Sequence, residues 1–153
     1  MALEDDIVIL QRQPLLGLME HEALRLLAFA AESRILRAGD ILFRTGEGSD
    51  GGYLVISGAV AVSTAETGSA PAAIAGPGSL LGELALFSAM ARPATAMARE
   101  PTQVMKLSRT AMRRVLTEFP GSAAAIAKAI SARLIAFQEE IDGVGHDLRA
   151  IGT

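Results

Sequence analysis

Apolar and polar positions change their spacing twice along this chain, dividing it into a helical, a stranded and a second helical part. Over residues 14–32, Leu16, Met19, Ala23, Leu26, Leu27 and Ala30 fall near one face at helical spacing, with Glu20, His21, Glu22 and Arg25 between them. The pattern predicts a helix after the break at Pro14, with His21 and Glu22 on its polar side. No second ligand lies at metal spacing from His21, which therefore reads as a surface histidine.

From Ile35 to Leu107 the helical period gives way to short β-favouring runs: Ile35-Leu36, Ile41 to Phe43, Tyr53 to Ile56, Val60 to Val62 and Val104 to Leu107. Glycine-rich turns separate them, at Ala38-Gly39-Asp40, Gly46 to Gly52, Ser57-Gly58 and Gly68 to Gly78. Many short strands at such spacing predict a sandwich or barrel rather than a parallel sheet. From Arg109 the chain turns helical again. Thr110 to Glu118 predicts a short helix, stopped at Phe119-Pro120-Gly121, and Ser122 is placed to cap a longer one. In that longer helix Ile126, Ile130, Leu134, Phe137, Ile141, Val144 and Leu148 recur at steps of three and four, interrupted late by Gly143 and Gly145. A helix lying on its own strands would share the first part of this stripe. Its length beyond that predicts a helix that packs along a second copy.

Composition narrows the chemistry. The 153 residues fit one domain with a real core, and half of them are apolar. Much of that is alanine, and the longest apolar run, Leu26 to Ala31, has six residues. A membrane span needs roughly 20, so no bilayer crossing and no membrane partner is expected. The N-terminus carries no basic flank of a secretory signal. The absence of cysteine removes disulfides, thiolate metal sites and iron–sulfur clusters. A net charge of −3 offers no general attraction to nucleic acid or anionic lipid. A cytoplasmic protein without a bound metal or cofactor is expected.

One segment predicts a ligand. Gly76-Pro77-Gly78-Ser79 forms a tight turn leading into the short strand Leu80-Leu81-Gly82; Glu83 follows, then an apolar turn, then Arg92-Pro93-Ala94-Thr95-Ala96. Gly82 lets backbone approach a ligand closely. Leu84 to Ser88 can make one helical turn whose free N–H groups favour an anion. The Arg92 guanidinium is a planar fork for two phosphate oxygens. Glu83, an acceptor, suits a sugar hydroxyl. A Glu–Arg pair closing a loop would explain acid and base alone; the glycine turn, acid, helical turn and base in one order favour a binding site.

This order resembles the phosphate-binding cassette (residues 81–96) of cyclic nucleotide-binding domains, such as those of catabolite activator proteins and protein kinase A regulatory subunits. The resemblance runs over roughly residues 10–142 and includes Arg37 to Gly46 and Tyr53 to Val60. It implies a mainly β fold with flanking helices: an N-terminal helical part (1–34), an eight-stranded jelly-roll barrel (35–108) and C-terminal helices (109–148), the last a dimerisation helix, all in one domain. It further implies that Gly82 and Glu83 bind the ribose 2′-hydroxyl, and that Arg92 and the Ala85 N–H bind the cyclic phosphate. Leu84 and Ala94 would line the pocket, and Asp50 would orient Arg92 from outside it.

Two residues depart from the family pattern. Pro93 stands where the family usually has Ser, Ala or Thr and has no N–H to give; losing one charge-assisted bond costs about 1.5–3 kcal/mol. A threonine there accompanies cGMP preference, so its absence points to cAMP over cGMP. Leu81 replaces the common phenylalanine, an apolar exchange. Phe137 and Gln138 lie where the family's long helix reaches the base, the ring able to stack on a purine and the amide to bond its edge; Phe137 reads equally as a member of the dimer stripe.

The expected function is a non-catalytic cyclic nucleotide sensor that acts through its C-terminal helices on a partner or an output domain. The residues after Asp142 are too few and too poor in basic side chains to bind nucleic acid themselves. The alternative is a sensor fold with a degenerate pocket, serving as a dimerisation or interaction module, which Pro93 favours. No enzyme is expected: there is no nucleophile elbow and no metal spacing.

Overall fold

The computed structural model describes residues 2–64 and 70–134. Three antiparallel pairings build each of two four-stranded sheets: β1-β8-β3-β6 and β2-β7-β4-β5. The strands are β1 Glu32–Leu36, β2 Ile41–Phe43, β3 Gly51–Ser57, β4 Val60–Ser63, β5 Ala73–Ala75, β6 Leu80–Leu81, β7 Thr95–Ala98 and β8 Thr102–Ser108. Before them lie helix α1 (Ala2–Gln11), a tight 3₁₀ turn (Leu16–Leu18) and helix α2 (His21–Phe29); after them lie α3 (Arg109–Glu118) and α4, helical over residues 120–134. The fold is mainly β with flanking helices, as expected.

Strand β3 explains why the chain needs its longest β-branched and aromatic run in the middle. Side chains alternate across a strand, and both faces of β3 are covered. Tyr53 and Val55, with their neighbour Val104 of β8, face the other sheet, where they pack with Phe43, Val60, Ala75 and Ala96. Leu54 points the other way, with Met105 and Leu107 of β8, into a second core built by Leu10, Leu16, Leu24, Leu27, Met112, Val115 and Ile126 of the helices. Leu54, Leu24, Leu27 and Met112 are wholly buried, each contributing about 1.5–3 kcal/mol. The sheet carrying β3 is therefore the shared wall between the strand core and the helix core.

Several local expectations are corrected. The single helix over residues 14–32 is instead a 3₁₀ turn and α2, separated by Glu20 in extended conformation. Helix α1 was not anticipated. Ser122 does not cap α4, which starts earlier, at about Pro120, where a missing N–H costs nothing. The Ser122 hydroxyl instead accepts the Glu20 N–H at 3.0 Å, tying the start of α4 to the start of α2. The stripe of α4 opens on its own domain: Ile126 is buried in the helix core and Ile130 packs against it, whereas Leu134 is exposed. Its members from Phe137 onward lie outside the described residues.

Candidate functional site

Arg92 is the side chain around which the site is organised. Its backbone is pinned from both sides: its N–H donates to the Glu47 carbonyl at 2.7 Å and its carbonyl accepts the Gly46 N–H at 2.8 Å. The Ser49 N–H reaches the Met90 carbonyl at 3.1 Å, and the Met90 N–H reaches Ser49 Oγ at 3.3 Å. The loop before β3 thus holds residues 90–92 as an antiparallel neighbour would, with Gly48 and Ala91 bridged, and the direction of the Arg92 side chain follows. It turns inward, leaving the residue only 5% exposed. The guanidinium carbon lies 4.3 Å from the centre of the Phe43 ring and 5.7 Å from that of Tyr53. Aromatic faces attract a cation electrostatically, so two rings hold the charge where a carboxylate would otherwise be expected.

Among the described residues no carboxylate lies within ion-pair distance of this guanidinium, and it donates no hydrogen bond to them. Among the described residues no fully buried side-chain polar atom lacks a partner, so the Arg92 nitrogens reach the open space beside them. Burial lowers the proton affinity of the group, opposed by the nearby Tyr53, Asp50 and Glu47; an arginine keeps its charge regardless. A buried cation, unpaired among the described residues and opening on a hollow, has the chemistry to take an anion.

That hollow has a volume of about 210 Å³ and is lined by Gly82, Glu83, Leu84, Ala85, Met90, Ala91, Arg92 and Pro93. Two glycines set the path of the chain into it, and Gly82 lines it. Gly76 to Ser79 is a tight turn closed by the Ser79 N–H on the Gly76 carbonyl at 3.1 Å, with Gly78 at φ +89°, the type II geometry that glycine satisfies. Gly82 follows at φ +78°, and a Cβ there would lie 2.6 Å from Arg92 Nη1. Both the left-handed backbone and the room for the guanidinium require glycine at this position.

Glu83 opens the 3₁₀ turn Glu83–Leu86. Its Oε2 accepts the Leu15 N–H at 3.2 Å, and its Oε1 lies 3.8 Å from Arg133 Nη1 on α4. The carboxylate joins the N-terminal segment, the cassette and α4, and keeps acceptor sites unused. The Ala85 N–H donates to the Gly82 carbonyl at 3.1 Å, within the turn itself. Ala94 is buried behind the hollow rather than lining it. Asp50 is placed differently from expectation: its Oδ2 accepts Lys106 Nζ at 2.8 Å and it acts on Arg92 through charge alone. The Lys106 hydrogen bond holds the Asp50 carboxyl below the usual carboxylate range. Phe137 and Gln138 lie outside the described residues. At Leu84 and Met90 the hollow adjoins an apolar groove of about 730 Å³ that also borders Phe87, Ile130 and Leu134.

The sequence reading missed Arg109. Its Nε donates to the Ala85 carbonyl at 2.9 Å, and its Nη2 to the Ser49 carbonyl and Oγ at 2.8 and 2.9 Å. These partners are far away along the chain, so no local spacing could have shown them. Phe43 and Tyr53 were read as strand residues, and their second role depends on where Arg92 folds back.

Comparison with known proteins identifies the family and the fold. A family model described as the cyclic nucleotide-binding domain matches residues 33–119. A cyclic nucleotide-binding-like protein from Brucella abortus is 39% identical, with a TM-score of 0.68 over 74% of this chain and 98% of its own. The N-terminal domain of a transcriptional regulator from Streptomyces coelicolor is 28% identical, with a TM-score of 0.76 over 87% of this chain and 94% of its own. The sensor domain of the transcriptional regulator DNR from Pseudomonas aeruginosa is 26% identical, with a TM-score of 0.71 over 92% of this chain and 94% of its own. A lysophospholipase from Neurospora crassa is 32% identical over 119 residues, 76% of this chain; the chain spans about 8% of that relative's length. Among the described residues no helix is long and apolar enough to cross a membrane.

Proposed function

This chain belongs to the cyclic nucleotide-binding domain family, and we propose that it is a non-catalytic regulatory module that binds cAMP in preference to cGMP. The observation that carries the reading is the buried Arg92 guanidinium, held by two aromatic rings, unpaired among the described residues and open to the hollow. A cyclic phosphate meets it as a fork on two oxygens. Glu83, with Gly82, takes a ribose hydroxyl through its unused acceptor sites, and the Ala85 N–H shares its bond between the turn and the phosphate. The purine extends past Leu84 into the apolar groove beside α4. The two sheets close as the halves of a jelly roll, and two copies pair through the C-terminal helix in the cytoplasm. Occupancy is passed through the C-terminal helices to a partner or output domain, in keeping with the regulators that share the fold.

Thermal denaturation with added nucleotide tests the reading. At a hundred times the dissociation constant, cAMP stabilises by about 2.7 kcal/mol, raising the melting temperature by roughly 5–10 °C. The ring-opened monophosphate AMP should do much less. Pro93, which withdraws one backbone donor from the phosphate, supports a second reading as an interaction module with an emptied pocket. No shift with either cyclic nucleotide up to millimolar concentration would select that second reading.

A further inference from the structure

The first residue of α3 carries more of the site than its distance in sequence suggests. Ser108 caps α3, its Oγ accepting the Ala111 N–H at 3.0 Å, so the position of Arg109 at the helix start is fixed. From there Arg109 makes four bonds into the site's walls. Its backbone N–H donates to the Asp50 carbonyl at 2.7 Å. Its Nε donates to the Ala85 carbonyl, and its Nη2 to both the carbonyl and the hydroxyl of Ser49. Ala85 belongs to the turn on one side of the hollow. Ser49 exchanges two hydrogen bonds with Met90, which lies on the other side, two residues before Arg92.

All the acceptors of this guanidinium are neutral. Among the described residues no carboxylate pairs with Arg109, so its charge is left uncompensated close to the site, where it already disfavours the protonated form of Arg92. An anion arriving at Arg92 offsets that repulsion. A planar fork bonded to two separate loops cannot be replaced by a point charge.

We propose that Arg109 is the positioning residue of this site: it sets the two walls of the anion hollow relative to each other and carries anion occupancy to α3. The proposal rests on the cyclic nucleotide reading given above. Arg109 does not line the hollow, so its effect on binding is exerted through Ala85, Ser49 and Met90.

The test compares the wild-type chain with Arg109→Met and Arg109→Lys, using calorimetric titration of cAMP and backbone amide exchange with and without saturating cAMP. Arg109→Met should weaken cAMP by on the order of tenfold, within the usual range for coupled sites. Arg109→Lys keeps the charge and guards against a variant that fails to fold; it should recover only part of the affinity. In wild type, cAMP should slow exchange at Ala111 to Arg113 in the first turns of α3, and in Arg109→Met at saturation that slowing should be lost. A merely structural role would lower the melting temperature and leave the saturated α3 response intact. Wild-type affinity and a wild-type α3 response in Arg109→Met would overturn this inference alone. Absence of cAMP binding by the wild-type chain would overturn it together with the functional reading beneath it.

Discussion

Replacing Gly82 by alanine separates two demands that coincide at one residue. The backbone there is left-handed, φ +78°, and a Cβ would sit 2.6 Å from Arg92 Nη1. The left-handed conformation costs a non-glycine residue about 1–2 kcal/mol, which for a domain of this size is roughly 2–8 °C in melting temperature. The clash adds little to that, because a guanidinium is the far end of a long side chain. It does displace the group by about 1 Å, enough to spoil two-oxygen recognition of a phosphate. A charge-assisted hydrogen bond is worth about 1.5–3 kcal/mol, so affinity should fall roughly tenfold to a hundredfold. Gly78 supplies the control: its φ is +89°, yet a Cβ there meets nothing within 4 Å. Gly78→Ala and Gly82→Ala should therefore melt alike by scanning calorimetry while differing in titration with cAMP. Equal cAMP affinity in the two variants would refute the placement of Arg92 against the hollow.

Three further perturbations probe the supports of the site. Phe43→Leu removes the ring 4.3 Å from the Arg92 guanidinium; cAMP affinity measured by titration should drop by the equivalent of about 0.5–2 kcal/mol, and an unchanged value would remove the ring from the account. Ser108→Ala deletes the cap of α3 and should cost about 0.5–2 kcal/mol in urea denaturation; no loss would mean the helix start is held by Arg109 alone. Lys106→Met tests the Asp50 pair. Because Lys106 lowers the folded-state pKa of Asp50, its stabilisation is present above the unfolded carboxylate range and is lost as pH falls through the folded value. With Asp50 largely exposed, the effect is at most about 1 kcal/mol. The melting difference between wild type and Lys106→Met should shrink below about pH 4; a difference that stayed constant from pH 7 to pH 2 would contradict the pairing.

What could be read from the residues, and what could not, follows the range of the forces involved. Tyr53 to Ile56 and Val104 to Leu107 announce buried strands because β-branched and aromatic side chains leave a local signal. Strands β5 and β7 do not: Ala73-Ile74-Ala75 and Thr95-Ala96-Met97-Ala98 are mostly alanine and methionine, with little intrinsic strand preference, and pairing with β4 decides their conformation. The helix expected across residues 14–32 is broken at Met19 and Glu20, both extended, yet Leu16 and Met19 before the break bury in the same core as α2, so the apolar spacing runs on across a backbone that does not. The Gly82, Glu83 and Arg92 cluster was legible because turn, acid and base lie within one short segment. Asp50 was placed near the right charge and on the wrong partner, since the Lys106 amine competes for it across the sheet. Arg109, Phe43 and Tyr53 act on that segment from distant parts of the chain, and only the folded backbone brings them to it.

The central claim is that Arg92 holds the phosphate of a cyclic nucleotide. Its most direct test is isothermal titration of cAMP into the wild-type chain and into Arg92→Met, a change that keeps an unbranched side chain over Phe43 while removing the charge. The account predicts saturable binding by the wild type and a loss of at least tenfold in the variant, the least that a charge-assisted contact of about 1.5–3 kcal/mol implies. No binding by the wild type up to millimolar cAMP, or the same affinity in both proteins, would contradict it.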